Sequence, residues 1–197
     1  MRVPNELYTA RPWRIHEFTK DFTLEDVWAL PTPGGPDDLP RLVKQFTSND
    51  DSEMSASVIR VLFAIRWKIG ALLGLDKAED GVGKRVASLR DRLPADLLEL
   101  PDGPDFELVP LRSVYQTDTE YVAEMANKTC HVLMHIGWVP DGTGGYRGEM
   151  AALVKPNGLF GKAYMAGITP FRRALVVPSS SAGSATTGRS TPDRSLT

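Results

Sequence analysis

The chain has a single cysteine, Cys130, in 197 residues. One thiol can form neither an intramolecular disulfide nor a cysteine-based zinc cage, so a reducing cytoplasm is the expected compartment. No excess of charge is present either: 23 Lys and Arg against 25 Asp and Glu leave a net charge of −2. That balance supplies no field for nucleic acid or anionic lipid, and no nucleic-acid partner is expected. The opening MRVPNELYTARPW lacks the apolar core of a secretory signal. A clean membrane-length run is missing too. The nearest approach, SVIRVLFAIRWKIGALLGL (57–75), is broken by Arg60, Arg66 and Lys68. Each central charge costs about 2.5–3.5 kcal/mol in a bilayer. Val58, Leu62, Ile65, Ile69 and Leu72 share one helical face while Arg60, Ala64 and Lys68 share another, so the run reads as an amphipathic helix of the core and not a transmembrane segment.

Phosphate-binding motifs are absent. EDGVGKRVAS (79–88) contains Gly-Lys, but Arg85 stands where a P-loop needs Ser or Thr, and the upstream glycine is missing. DGTGGYRG (141–148) lacks the GxGxxG spacing and sits between two strand patterns, as a hairpin loop does. No internal repeat occurs, and no cofactor is expected.

What is present suffices for a packed core, with 42% hydrophobic and 8% aromatic residues. The expected organisation is one domain over 1–178. The tail 179–197, SSSAGSATTGRSTPDRSLT, has no aromatic residue and one large aliphatic, so it is expected to stay disordered. Residues 12–22, PWRIHEFTKDF, predict a first strand. Thr23 then reads as the N-cap of a helix containing Leu24, Val27, Trp28 and Leu30, stopped by PTPGGP. A second helix is expected over 38–46, with Asp38 as cap and Pro40 in its first turn. A short helical piece falls at 88–93 in an otherwise loop-rich stretch.

From Phe106 the period changes to two. FELVPLRSVYQ, TEYVAEMA, TCHVLMHIGWV and YRGEMAALV predict four strands, spaced too tightly for crossovers and hence an antiparallel meander. In TCHVLMHIGWV the two histidines share a strand face roughly 13 Å apart, too far for one metal ion, so no metal site is expected. A two-residue turn at Asn127 and Lys128 would pair Ala126 with Thr129, Glu124 with His131 and Glu120 with His135. A carboxylate beside imidazole can orient it and move a proton, which makes Glu124 and His131 the catalytic candidates. Antiparallel sheets usually turn their polar face to water, so the expected arrangement is an exposed ladder of charges. The opposite face of the hairpin is apolar.

After the last strand, Phe160, Tyr164, Ile168, Phe171 and Leu175 recur at helical spacing and predict a long C-terminal helix, with Asn157 as N-cap and a kink near Pro170. Its stripe would pack on the last strand. Met150 and Met165, beside the small Ala163, Ala166 and Gly167, leave room there for an apolar guest. Arg172 and Arg173 either mark a pocket mouth or neutralise the helix C-terminus.

TEYVAEMANKTCHVLMHIGWV and VKPNGLFGKAYMAGITPFRRALVVP, with RPWRIHEFTKDFTLEDVWALPTPGG and LFAIRWKIGALLGLD before them, resemble a mostly bacterial family known only as a domain of unknown function. The resemblance spans roughly 10–178. That family is similar to the helix-grip superfamily of START lipid-binding domains, birch-pollen-allergen-like proteins and polyketide cyclases. The resemblance implies an α+β fold: a curved antiparallel sheet around a long C-terminal helix, with additional N-terminal helices and an apolar cavity. The 57–75 helix and the Pro170 kink depart from its simplest members. The functional expectation is a small-molecule-binding protein with ligand contacts at Trp28, Tyr121, Met134, Trp138, Met150, Tyr164, Met165 and Ile168. The alternatives are a cyclase- or dehydratase-like enzyme using Glu124 and His131, and an accessory interaction domain with a filled core. Ligand identity, oligomeric state and partner are not set by the sequence.

Overall fold

The computed structural model describes residues 1–48, 82–83, 86–107, 109–126 and 130–158. A short strand β1 (Arg2–Val3) leads into helix α1 (Asn5–Thr9) and a 3-10 turn (Arg14–Glu17). Strand β2 (Thr23–Ala29) and helix α2 (Leu39–Thr47) follow. A second 3-10 turn (Leu89–Arg92) and a one-turn helix α3 (Ala95–Leu98) precede the strands β3 (Arg112–Gln116), β4 (Glu120–Ala126), β5 (Cys130–Pro140) and β6 (Tyr146–Pro156). The six strands form one antiparallel sheet in the order β1-β2-β6-β5-β4-β3. The fold is α+β, and the meander expected after residue 106 is present as β3 to β6.

Local chemistry explains the turns. Between β5 and β6 the Asp141 carboxylate accepts the N–H groups of Thr143 at 2.7 Å and Gly145 at 3.1 Å. Gly142 and Gly144 take φ of +86° and +97°, a conformation that costs glycine little. Before β4, Thr117 Oγ1 accepts the N–H of Glu120 at 2.9 Å and closes the β3–β4 turn. The outer edge of β3 is blocked to further pairing: Asp105 accepts the Ser113 N–H at 2.7 Å and Arg90 donates to the Val114 carbonyl at 2.8 Å.

The N-terminal third departs from the sequence expectation. Residues 12–22 hold a 3-10 turn where a strand was expected, and 23–29 form a strand where a helix was expected. The cause is a β-bulge. Leu24 pairs with Leu153 and Asp26 with Ala152, so Glu25 is the extra residue. It shifts the alternation by one, bringing Leu24 and Val27 to the same side of the sheet at a spacing of three that imitates a helix. Trp28 and Leu30 then face the other side. Pairing with β6 along the whole of β2 outweighs the local capping signal, and Asp26 instead meets Arg2 at 2.8 Å.

Helix α2 lies where expected. Asp38 occupies its N-cap position, although the carboxylate accepts from the Gly35 N–H at 2.8 Å and from Arg41 at 3.1 Å and from no helix N–H. Leu39, Leu42, Val43 and Phe46 are buried against one sheet face beside Tyr121, Met134, Ile136, Trp138, Met150 and Ala152. Each such side chain stabilises the fold by roughly 1.5–3 kcal/mol on burial. The other sheet face carries Val27, Val122, Leu133, Ala151 and Leu153 and is covered by Tyr8, Trp13, Ile15, Leu89, Leu93 and Leu97. The sheet is therefore buried on both sides, with α2 on one and an N-terminal strap (residues 5–18) plus residues 88–98 on the other.

The expected 57–75 helix, the C-terminal helix with its Pro170 kink, and the 179–197 tail lie outside the described residues. Among the described residues no helix is long and apolar enough to cross a membrane.

Candidate functional site: a buried histidine–carboxylate face

Strands β4 and β5 pair two residues out of the expected register. Ala126 lies opposite His131, Glu124 opposite Leu133 and Glu120 opposite Gly137. A slip of one would have moved every side chain to the other face, whereas a slip of two keeps all four polar groups together. The expected partners consequently meet on the diagonal. His131 Nε2 lies 2.7 Å from Glu124 Oε2, and His135 Nε2 lies 3.2 Å from Glu120 Oε2.

The exposed ladder is not what forms. Glu120, Glu124, His131 and His135 retain 3%, 2%, 2% and 0% of their accessible surface. Polar groups at that depth need partners, and the covering segments supply them. Glu120 accepts from the N–H groups of Arg14 at 2.8 Å and Ile15 at 3.4 Å, and from the Tyr115 hydroxyl at 2.9 Å. Glu124 accepts from the Ser88 hydroxyl and, at 2.9 Å, from the Leu89 N–H. Each carboxylate thus clamps one covering segment to the sheet: Glu120 holds the strap, and Glu124 holds the start of the second 3-10 turn.

The network fixes its own protonation state. Burial alone would raise both carboxyls, but the bonds from His135 and from the Arg14 N–H hold Glu120 below the usual carboxylate range. His131, Ser88 and the Leu89 N–H do the same for Glu124. An ionised Glu120 is acceptor only, so His135 Nε2 must carry the proton that bridges them. Burial pushes the His135 imidazole down, against the pull of Glu120, and we take it as neutral at pH 7. Its Nδ1 then has a lone pair and accepts the Tyr8 hydroxyl proton at 3.0 Å. Burial, with Glu120 nearby, raises the Tyr8 phenol well above its ordinary range. Tyr8, His135, Glu120 and Tyr115 form one continuous chain from strap to sheet.

At its end, Gly137 lies between Glu120 and Glu149 in the pairing. A Cβ at Gly137 would fall 2.5 Å from the Trp13 ring, so only glycine lets that indole rest on the sheet. Glu149, 1% exposed, receives Arg11 at 3.3 Å and Arg147 at 3.4 Å. The run RPWRI is therefore read out residue by residue: Arg11 on Glu149, Trp13 on Gly137, and the backbone of Arg14 and Ile15 on Glu120. Tyr8, Trp13, Ser88, Tyr115 and Glu149 were not singled out from sequence. Only Glu149 carried a signal, as a charge immediately before the apolar run Met150–Val154.

The expected ligand contacts fall on the opposite face. Trp28, Tyr121, Met134, Trp138 and Met150 all belong to the α2 side of the sheet. All but the half-buried Trp28 are buried. The Tyr121 hydroxyl donates to the Pro104 carbonyl at 2.6 Å, and Trp138 Nε1 donates to the Gly35 carbonyl at 2.9 Å. Tyr164, Met165 and Ile168 lie outside the described residues. A cleft of about 340 Å³ lined by Pro40, Leu100, Pro101, Gln116, Thr117 and Asp118 touches none of these contacts. Among the described residues no group of three or more His, Cys, Asp or Glu side chains is arranged to hold a metal ion.

Residues 18–179 match the model of a family described as "Protein of unknown function (DUF2867)". The chain belongs to this family. The match begins at Phe18, so the DUF2867 region holds strands β2 to β6 with Glu120, Glu124, His131 and His135, while β1, Tyr8, Trp13 and Ile15 precede it. No curated protein and no solved structure matches the chain.

Proposed function

We propose that this DUF2867 protein is a small-molecule-binding domain of helix-grip type that holds an apolar or amphipathic ligand on the α2 side of its sheet. The observation that carries this reading is the division of labour between the two faces. The strap side is filled by a polar network in which Glu120 and Glu124 are fully engaged. The α2 side is apolar across β6, β5 and β4, with the methionines and aromatics that adapt to a guest. The chain order supports the helix-grip assignment: one long strand, then helix, then a meander whose last strand returns to pair with the first long strand.

The test is direct. Purified protein is analysed by native mass spectrometry and extracted with organic solvent, then titrated with an environment-sensitive apolar dye. A co-purifying compound or saturable dye uptake, weakened by Met134→Trp, is expected. An empty protein with no uptake would overturn the reading in favour of an interaction domain with a filled core.

A cyclase- or dehydratase-like role for Glu124 and His131 is favoured by their short contact and opposed by their surroundings. Both Glu124 oxygens accept hydrogen bonds from protein groups, and neither residue offers a surface to substrate. His131→Gln would abolish turnover with thermal stability kept if the pair were catalytic.

A further inference from the structure

The polar chain has an asymmetry: its one imidazole joins two layers. His135 stands in β5, yet its Nδ1 is bonded to Tyr8 of the strap, while its Nε2 is bonded to Glu120, the residue that also receives the strap's Arg14 and Ile15 N–H groups. We propose that protonation of His135 releases the 5–18 strap from the sheet, so that mild acid opens this face while β4, β5 and β6 stay paired.

The argument is one of hydrogen-bond supply. A second proton on His135 must sit on Nδ1, where the Tyr8 hydroxyl now donates. The hydroxyl would have to turn and accept, and its own proton would then need another acceptor in a site where Tyr8 is 1% exposed and His135 fully buried. The groups that face His135 do not remove the difficulty. Tyr8 comes from α1; Arg14 and His16 come from the 3-10 turn, and His16, 5.3 Å from the Tyr8 ring, adds like charge if protonated. Glu120 comes from β4 and Tyr115 from β3, and both already share one carboxylate. Glu149 on β6 is one row along and held by two arginines, while His131, two rows along, is held by Glu124. Lifting the strap gives His135 water and lets it protonate at its ordinary value near 6.5.

The unfolded or lifted strap therefore binds a proton that the docked strap excludes, and docking weakens as pH falls through 6.5. The expected size is up to tenfold in the docking equilibrium per pH unit below that value. Hydrogen exchange of the full chain between pH 7.5 and 5, corrected for intrinsic rates, reads it directly. Amides of residues 8–18 should lose protection up to tenfold per unit while those of 130–156 keep theirs. His135→Gln, whose amide can still donate to Glu120 and accept from Tyr8, should flatten the strap's pH dependence, and His16→Gln, which removes only a neighbouring charge, should leave most of it in place. An unaltered slope in His135→Gln, or loss of protection by strap and sheet together, overturns the proposal. Should His135→Gln fail to fold, an NMR titration of the His135 ring decides: proton uptake must share its midpoint with strap release, and an imidazole that stays neutral through release overturns it.

Discussion

The two faces of the sheet are equally buried but held by different physics. On the α2 side, Leu39, Leu42, Val43 and Phe46 meet Met134, Ile136 and Met150 through contacts that are individually small and collectively large. On the strap side, comparable apolar anchors, Tyr8, Trp13 and Ile15, surround three buried carboxylates and two imidazoles, and Glu120, Glu124, His131 and His135 each depend on a named partner. An apolar face degrades gradually when it loses atoms. A polar network fails in steps, because each partner removed leaves others unsatisfied in a dry site.

The sharpest way to break this contrast is Glu120→Ala. It strands the Arg14 and Ile15 N–H groups, the Tyr115 hydroxyl and His135 at once, and should cost about 3–5 kcal/mol in denaturant titration. A loss under about 1 kcal/mol would mean that apolar anchors alone hold the strap.

Acid should act next, and with a definite sign. His135 is depressed in the folded protein, so its contribution is complete above 6.5 and declines as pH drops below it. Glu120 and Glu124 are also depressed, so theirs is complete above about 4.5 and is lost on further acidification. All three push the same way, and thermal stability should fall in two stages from pH 7 to pH 3.

Gly137→Ala tests the seat of Trp13. Its new methyl would lie 2.5 Å from the indole, and the displacement should cost about 1–3 kcal/mol, with Trp13 fluorescence reporting the shift. The smallest effect belongs to the α2 side. Ile136→Val removes one methylene from a fully buried side chain and should cost about 0.5–1.5 kcal/mol, with no change in pH dependence.

The legible parts of this molecule were those whose signal is local and periodic. The alternation in TCHVLMHIGWV placed the histidines on one face and Met134 and Trp138 on the other, and the structure keeps that division. The register was off by two: Ala126 lies opposite His131 where Thr129 was expected. The division survived because two is the period of a strand. The N-terminal third was illegible for a related reason: the bulge at Glu25 gave β2 a helical spacing, and only pairing with β6 reveals it as a strand. Trp13 and Tyr8 carried no local signal, since their partners, Gly137 and His135, lie more than a hundred residues away.

Alternation along the chain was enough to reveal the meander and to place Glu120, Glu124, His131 and His135 on one side of β4 and β5, while the register that sets which of them stand opposite one another was not legible. Whether that side meets water was decided by tertiary structure alone. The strap and residues 88–98 close over it because Glu120 and Glu124 accept their backbone N–H groups, bonds between segments that no local pattern records. That closure turns an expected surface ladder of charge into a buried latch.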